Sequence, residues 1–211
     1  MFVKICGIKS FEELRTVEKY ADATGVIVRT ESKRRIGEDL AKEIIENSKI
    51  PVFLVSTLKN FEDWREVISY CKPEWIQIHA KVDKDLVEKI RSIFGVSIAL
   101  VFEVPTISSN PFEDAEKIIK AARNFNADLT ILDSGRGSGK LHDLRVSKLV
   151  AEEIDIVLAG GLNPENVAEV VKFVKPYGVD VSSGVEKEGK KDEDLVKLFL
   201  EKLGVKKSLF R

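Results

Sequence analysis

Cysteine, histidine and methionine are scarce in this chain, and so are long apolar runs. Among 211 residues there are two cysteines, two histidines and one methionine. Cys6 and Cys71 allow at most one bridge, which excludes a disulfide-stapled scaffold; free thiols in a reducing compartment are the expectation. His79 and His142 have no partner at ligand spacing and no nearby Cys/Glu cluster, so no resident metal is expected. No stretch approaches the roughly 20 apolar residues that cross a bilayer. The opening MFVKICGIKS carries Lys4 and then turns polar, unlike a signal peptide, so the expected location is cytoplasmic. An excess of either charge is missing too. Lys and Arg number 34 against 35 Asp and Glu, a net of -1, which offers no general attraction to nucleic acid or to acidic membrane surfaces. A small molecule is the partner class left, and nothing in the chain bears on oligomeric state.

What is present is a rhythm. Hydrophobic residues make up 44% and charged residues 33%, enough apolar content to bury a core. Short β-branched runs at 2–6, 24–28, 52–55, 75–79, 97–102, 129–133, 156–159 and 179–182 alternate with longer amphipathic stretches. The short runs are apolar almost throughout, as in strands covered on both faces of a parallel sheet. Helix starts are marked between them. Ser10 precedes Glu13 by three residues, Asn60 opens a similar segment, Pro111 suits a first turn, and Asn163-Pro-Glu reads as cap, first position and acidic first turn. The last helix is expected at 192–203, with Leu195, Leu198, Phe199 and Leu203 on its buried stripe. No linker interrupts the alternation. An open doubly wound sheet would carry a glycine fingerprint after its first strand, whereas only Gly7 stands there and the glycine turns come late. The expectation is therefore α/β: a single (β/α)8 TIM barrel of parallel strands, one domain over 1–211.

Catalytic groups of that fold sit at the C-terminal ends of the strands. Those positions hold Cys6, Arg29, His79, Asp133, Gly160-Gly161, and Asp180 followed by Ser182, Ser183 and Gly184. Lys4 shares a face with Cys6, and its ammonium can favour the thiolate; alternatively Lys4 is a structural cation for an inward carboxylate such as Asp180, and Cys6 a small packing residue. Asp133 closes an apolar run, where partial desolvation suits a proton donor; the plainer alternative is a cap for the next loop. Asp180 alternates with Ser182 and should face inward, with catalysis, hydroxyl binding and pairing to Lys4 all open to it. The glycine turns at Gly160-Gly161 and Ser183-Gly184 offer bare amides to a phosphate, and the Gly135-Arg-Gly-Ser-Gly139-Lys loop adds a third flexible turn. Arg34, in a basic loop, is a natural clamp for a carboxylate if it overhangs the pocket. Gln77 and His79 are expected to form a hydrogen-bonded inner layer, Cys71 to pack, and 206–211 to lie loose.

Taken in order, several segments resemble the phosphoribosylanthranilate isomerases of tryptophan biosynthesis. They are Lys4-Ile-Cys-Gly-Ile, Ala23-Thr-Gly-Val-Ile, Ser32-Lys-Arg, Ile76-Gln-Ile-His, Leu132-Asp-Ser with Gly137-Ser-Gly, Ala159-Gly-Gly-Leu-Asn-Pro-Glu-Asn-Val, and Val179-Asp-Val-Ser-Ser-Gly-Val-Glu with Gly189-Lys-Lys-Asp. The resemblance implies an Amadori rearrangement of N-(5-phosphoribosyl)anthranilate, without metal or cofactor, with Asp133 as general acid and Cys6 as general base. It also implies Arg34 near the anthranilate carboxylate, Asp180 near the amine or a ribose hydroxyl, and the turns at Gly139, Gly160, Gly161, Ser183 and Gly184 around the phosphate. The chain departs from the family pattern at Ala80 and Arg136, where glycines are usual, and at His142-Asp-Leu, where Phe-Asp-Trp is common. Loop two lacks the usual proline and small residues. The histidine-pathway isomerase is a rival reading, but it uses an aspartate where Cys6 stands.

Overall fold

Runs of Val, Ile and Leu with no polar face must be covered on both sides, and here a ring of strands covers one side and a ring of helices the other. The computed structural model describes residues 1–135 and 141–205. β1 (Phe2–Cys6), β2 (Ala23–Ile27), β3 (Val52–Ser56), β4 (Trp75–Ile78), β5 (Ser97–Glu103), β6 (Leu129–Asp133), β7 (Ile156–Leu158) and β8 (Gly178–Val181) close into one barrel in chain order. Every neighbouring pair is parallel, including β8 with β1, which places Asp180 beside Lys4. Closure leaves no switch point and rules out the open sheet. A two-stranded hairpin of β9 (Glu186–Lys187) and β10 (Lys190–Lys191) follows β8, an element the sequence pattern did not announce.

The helices are α1 (Phe11–Val17), α2 (Glu38–Asn47), α3 (Phe61–Cys71), α4 (Lys84–Phe94), α5 (Pro111–Phe125), α6 (Leu144–Ala151), α7 (Val167–Val174) and α8 (Glu193–Lys202). Ser10 and Asn60 accept the expected amides at their helix starts, and Pro111 opens α5, where Asn110 accepts the Glu113 amide. Asn163 acts one turn early: its side chain takes the Glu165 and Asn166 amides in the turn that leads into α7. In α8 the buried residues are Val196, Phe199 and Leu200, while Leu198 is 39% exposed. The stripe is rotated from the expected one because Val196 and Leu200, four apart, face the strands together with Phe199.

Period-two alternation divides the strands cleanly. Outward residues such as Val3, Ile5, Leu54, Ile76, Ile98, Leu132 and Val179 pack under the helices. Inward residues Cys6, Ala23, Phe53, Val55, Ala99, Ile131, Val157 and Ala159 fill the barrel. Polar groups enter that interior through β1, β4 and β8, and together with Asp133 at the end of β6 they define the site.

Candidate active site

Lys4 and Cys6 point inward from β1 two residues apart, and Asp180 meets them from β8. Lys4 Nζ lies 2.8 Å from Asp180 Oδ2, with Lys4 fully buried and the Asp180 side chain 7% exposed. Burial alone would discharge the ammonium, but the adjacent carboxylate holds Lys4 protonated. Of the roles open to Lys4, the pair with Asp180 is formed, and it leaves the ammonium close enough to act on the Cys6 thiol as well. Cys6 is 6% exposed at the C-terminal end of β1. Burial pushes its thiol up, while the nearby Lys4 and Lys191 ammonium groups pull the other way. Gly25 on β2 makes room for the sulfur: a Cβ there would lie 2.8 Å from Sγ.

The inner polar layer is present but not hydrogen-bonded as expected. Gln77 Oε1, His79 Nε2 and Asp180 Oδ1 are buried atoms without a partner among the described residues. The register explains Gln77, whose cross-strand neighbours Val55 and Ala99 carry no donor. Asp133 ends β6 half-buried, and its Oδ1 accepts the Gly135 amide at 2.9 Å, so the loop-capping alternative is realised in the same side chain that closes the strand.

Arg29, although at the end of β2, turns away from the barrel mouth to Glu38 and Glu66 on α2 and α3. Its left-handed backbone, φ 49°, swings it outward. Arg34 does come to the site. Its stem crosses Gly7, where a Cβ would meet Arg34 Cδ at 2.6 Å, and its guanidinium pairs with Glu186 on β9. Glu186 also binds Lys191 of β10, whose ammonium reaches the Ser182 carbonyl and hydroxyl; the Ser182 hydroxyl in turn donates to the Cys6 carbonyl. Arg34 and Lys191 together hold the Glu186 carboxyl at about 2, although burial opposes this.

Both glycine turns are formed. Gly160 and Gly161 adopt φ of 84° and 69° after β7, a region that disfavours side chains. Ser183–Val185 is a single 3-10 turn after β8, whose first amides have no internal acceptor. The turns abut: a Cβ on Gly184 would lie 1.9 Å from the Leu162 carbonyl oxygen. Gly139 and its loop neighbours 136–140 lie outside the described residues, as does 206–211. Cys71 packs as expected, its thiol pushed up to about 11 by burial.

A barrel mouth with one cysteine, two aspartates, an arginine and paired glycine turns narrows the family, and the comparison with known proteins decides it. Residues 3–202 match the family model described as N-(5'phosphoribosyl)anthranilate (PRA) isomerase. The chain belongs to the phosphoribosylanthranilate isomerase family. With that membership stand the expectations of an enzyme, an isomerase and a place in tryptophan biosynthesis. The isomerase of Pyrococcus abyssi is 58% identical over 95% of this chain and 96% of its own. The solved phosphoribosylanthranilate isomerase of Pyrococcus furiosus superposes with a TM-score of 0.91 at 53% identity, covering 97% of this chain and 98% of that one. A phosphoribosylanthranilate isomerase structure in complex with reduced 1-(o-carboxyphenylamino)-1-deoxyribulose 5-phosphate is 31% identical, with a TM-score of 0.77 over 97% of this chain and all of the other. Sequence reasoning did not single out Gly25, Glu186 and Lys191, which the structure places beside Cys6 and Arg34. The signal for Lys191 was its place in a charge run just after the strand-eight glycine turn, where a solvated lysine is the usual reading.

Proposed function

We propose that this chain converts N-(5-phosphoribosyl)anthranilate into 1-(2-carboxyphenylamino)-1-deoxyribulose 5-phosphate, in tryptophan biosynthesis, by general acid–base catalysis. Asp133 gives a proton to the ribose ring oxygen. The bond from that oxygen to C1′ breaks as the anthranilate nitrogen lone pair forms the C1′=N⁺ iminium. Cys6, as thiolate, then takes the C2′ proton, and the electrons left behind become the C1′=C2′ enolamine. Loss of the hydroxyl proton and protonation of C1′ give the aminoketone. Each step is a proton transfer to or from the substrate, so no step is assigned to a metal or cofactor. For Cys6 to act, its thiol must first lose a proton, and the two buried ammonium groups of Lys4 and Lys191 favour that charge.

The observation that carries this reading is the placement of Cys6 and Asp133 at the C-terminal end of one closed barrel, beside the abutting glycine turns. Phosphate sites of the fold lie in the loops after strands seven and eight, which is where Gly160, Gly161, Ser183 and Gly184 stand. In the same reading Arg34 takes the ring carboxylate, and Asp180 Oδ1, which has no partner among the described residues, takes the amine or a ribose hydroxyl. The test is to generate the labile substrate in situ and follow loss of anthranilate fluorescence. Turnover should be nearly abolished in Cys6→Ala and in Asp133→Asn, each with an unchanged circular-dichroism spectrum and melting curve. Full activity in either variant removes that residue from the mechanism.

A further inference from the structure

Arg34 is gripped along one edge only. Its Nε and Nη2 donate to Glu186 Oε1 and Oε2 at 2.7 and 2.9 Å, a side-on fork. A guanidinium has a second edge, made by Nη1 and the remaining Nη2 hydrogen. Among the described residues nothing accepts from Nη1. The grip itself is fixed from behind. Glu186, its side chain 9% exposed, also receives the Lys191 ammonium at 2.7 Å. That ammonium spends its other donors on the Ser182 carbonyl and hydroxyl, at 3.1 and 3.3 Å. The Lys191 amide donates to Glu13 Oε1 on α1 at 3.0 Å, so the β9–β10 hairpin is tied down at the barrel mouth. Lys191 is therefore fully committed and has no donor left for a ligand. The arginine stem, meanwhile, can lie against the chain immediately after Cys6 only because residue 7 is glycine.

We infer that Glu186 is a positioning residue for the substrate carboxylate: it holds one edge of Arg34 and so presents the Nη1/Nη2 edge to the anthranilate ring, with Lys191 as the buried cation that keeps Glu186 in place. This rests on the proposed reading of Arg34 as the carboxylate clamp, and adds the residue that aims it. An unrestrained arginine would have to be ordered by the ligand; a pre-aimed one loses less rotamer freedom on binding.

The test uses the whole protein and two probes: the reduced 1-(o-carboxyphenylamino)-1-deoxyribulose 5-phosphate and its counterpart lacking the ring carboxylate. Dissociation constants are measured by calorimetry for the wild type, Glu186→Gln, Arg34→Met and the double variant. Glu186→Gln is expected to weaken the carboxylated probe about tenfold and the other less than about twofold, with no further loss in the Arg34→Met background. In turnover, KM should rise while kcat holds. Equal weakening of both probes, no weakening, or a full additional loss in the Arg34→Met background overturns the inference. Arg34→Lys, a change at a side chain that is only partly covered, gives a second readout that does not depend on how Glu186→Gln folds. It keeps the charge but has no second edge, so it should lose the preference for the carboxylated probe; a retained preference also overturns the inference. A wild type indifferent to the ring carboxylate would defeat the reading of Arg34 itself, whereas a wild-type preference that survives Glu186→Gln would defeat only the role given to Glu186.

Discussion

Replacing Lys4 by methionine should destabilise the fold severely while a paired replacement of Asp180 restores it. The ammonium and carboxylate stand 2.8 Å apart, one fully buried and the other 7% exposed, with the Lys4 charge also 5.3 Å from the Phe53 ring centre. Two unit charges at that separation attract by about 6 kcal/mol at an effective dielectric near 20. Desolvation of both ions offsets much of this, so the intact pair contributes little net stability. Removing one partner leaves the other charge stranded in the barrel interior, and the expected loss is about 3–5 kcal/mol. The loss should also depend on pH. Burial already raises Asp180 and Lys4 counteracts this; without Lys4 the folded carboxyl is raised further. The folded variant then keeps a proton that the unfolded chain releases near the ordinary carboxylate range, so its stability is highest at low pH and falls as pH rises. Lys4→Met should therefore lie closer to the wild type at pH 4 than at pH 8. In Lys4→Met/Asp180→Leu both buried charges are gone, and stability should return to within about 1 kcal/mol of the wild type or exceed it. Urea unfolding followed by circular dichroism measures all of this. A single-variant loss under about 1 kcal/mol at pH 8, or no recovery in the double variant, would refute the reasoning.

Two further outcomes test the frame around the site, beside the Cys6, Asp133 and Glu186 variants already described. Gly184→Ala drives a methyl to 1.9 Å from the Leu162 carbonyl, backbone against backbone, so the two glycine turns must separate. Melting curves should show a loss of roughly 2–4 kcal/mol, and an alanine as stable as the wild type would mean the turns do not abut. His142 is buried, its Nε2 paired with the Ser147 hydroxyl, and its pKa is lowered to about 4. The unfolded chain protonates first, near 6.5, so this contribution is present above 6.5 and is lost as pH falls towards 4. His142→Gln should flatten the stability curve across that window by up to about 3 kcal/mol, read from urea midpoints; an unaltered slope would contradict it.

Much of this protein is written in local order. Eight apolar runs long enough for strands, each followed by an amphipathic segment, dictate the alternation, because a strand with two greasy faces needs cover on both. Side-chain alternation likewise puts Lys4 with Cys6 and Asp180 with Ser182 on one face from sequence alone, and the glycine turns announce themselves by composition. What the chain order cannot express is who stands opposite whom. Closure of β8 onto β1 makes Asp180 the partner of Lys4, and the β3–β4–β5 register sets Gln77 between Val55 and Ala99, neither of which offers a side-chain donor. Arg29 and Arg34 look alike as residues of one basic loop, yet backbone direction sends the first to α2 and α3 and the second across Gly7. Glu186 and Lys191 pass for solvated charges until the β9–β10 hairpin folds back and buries them beside Arg34. Residue type and spacing determined the barrel, the faces of its strands and the chemistry available at its mouth. Only the tertiary structure decided the charge pairing, since electrostatic partners are chosen by distance in space and by burial, and both arise once the ring is closed.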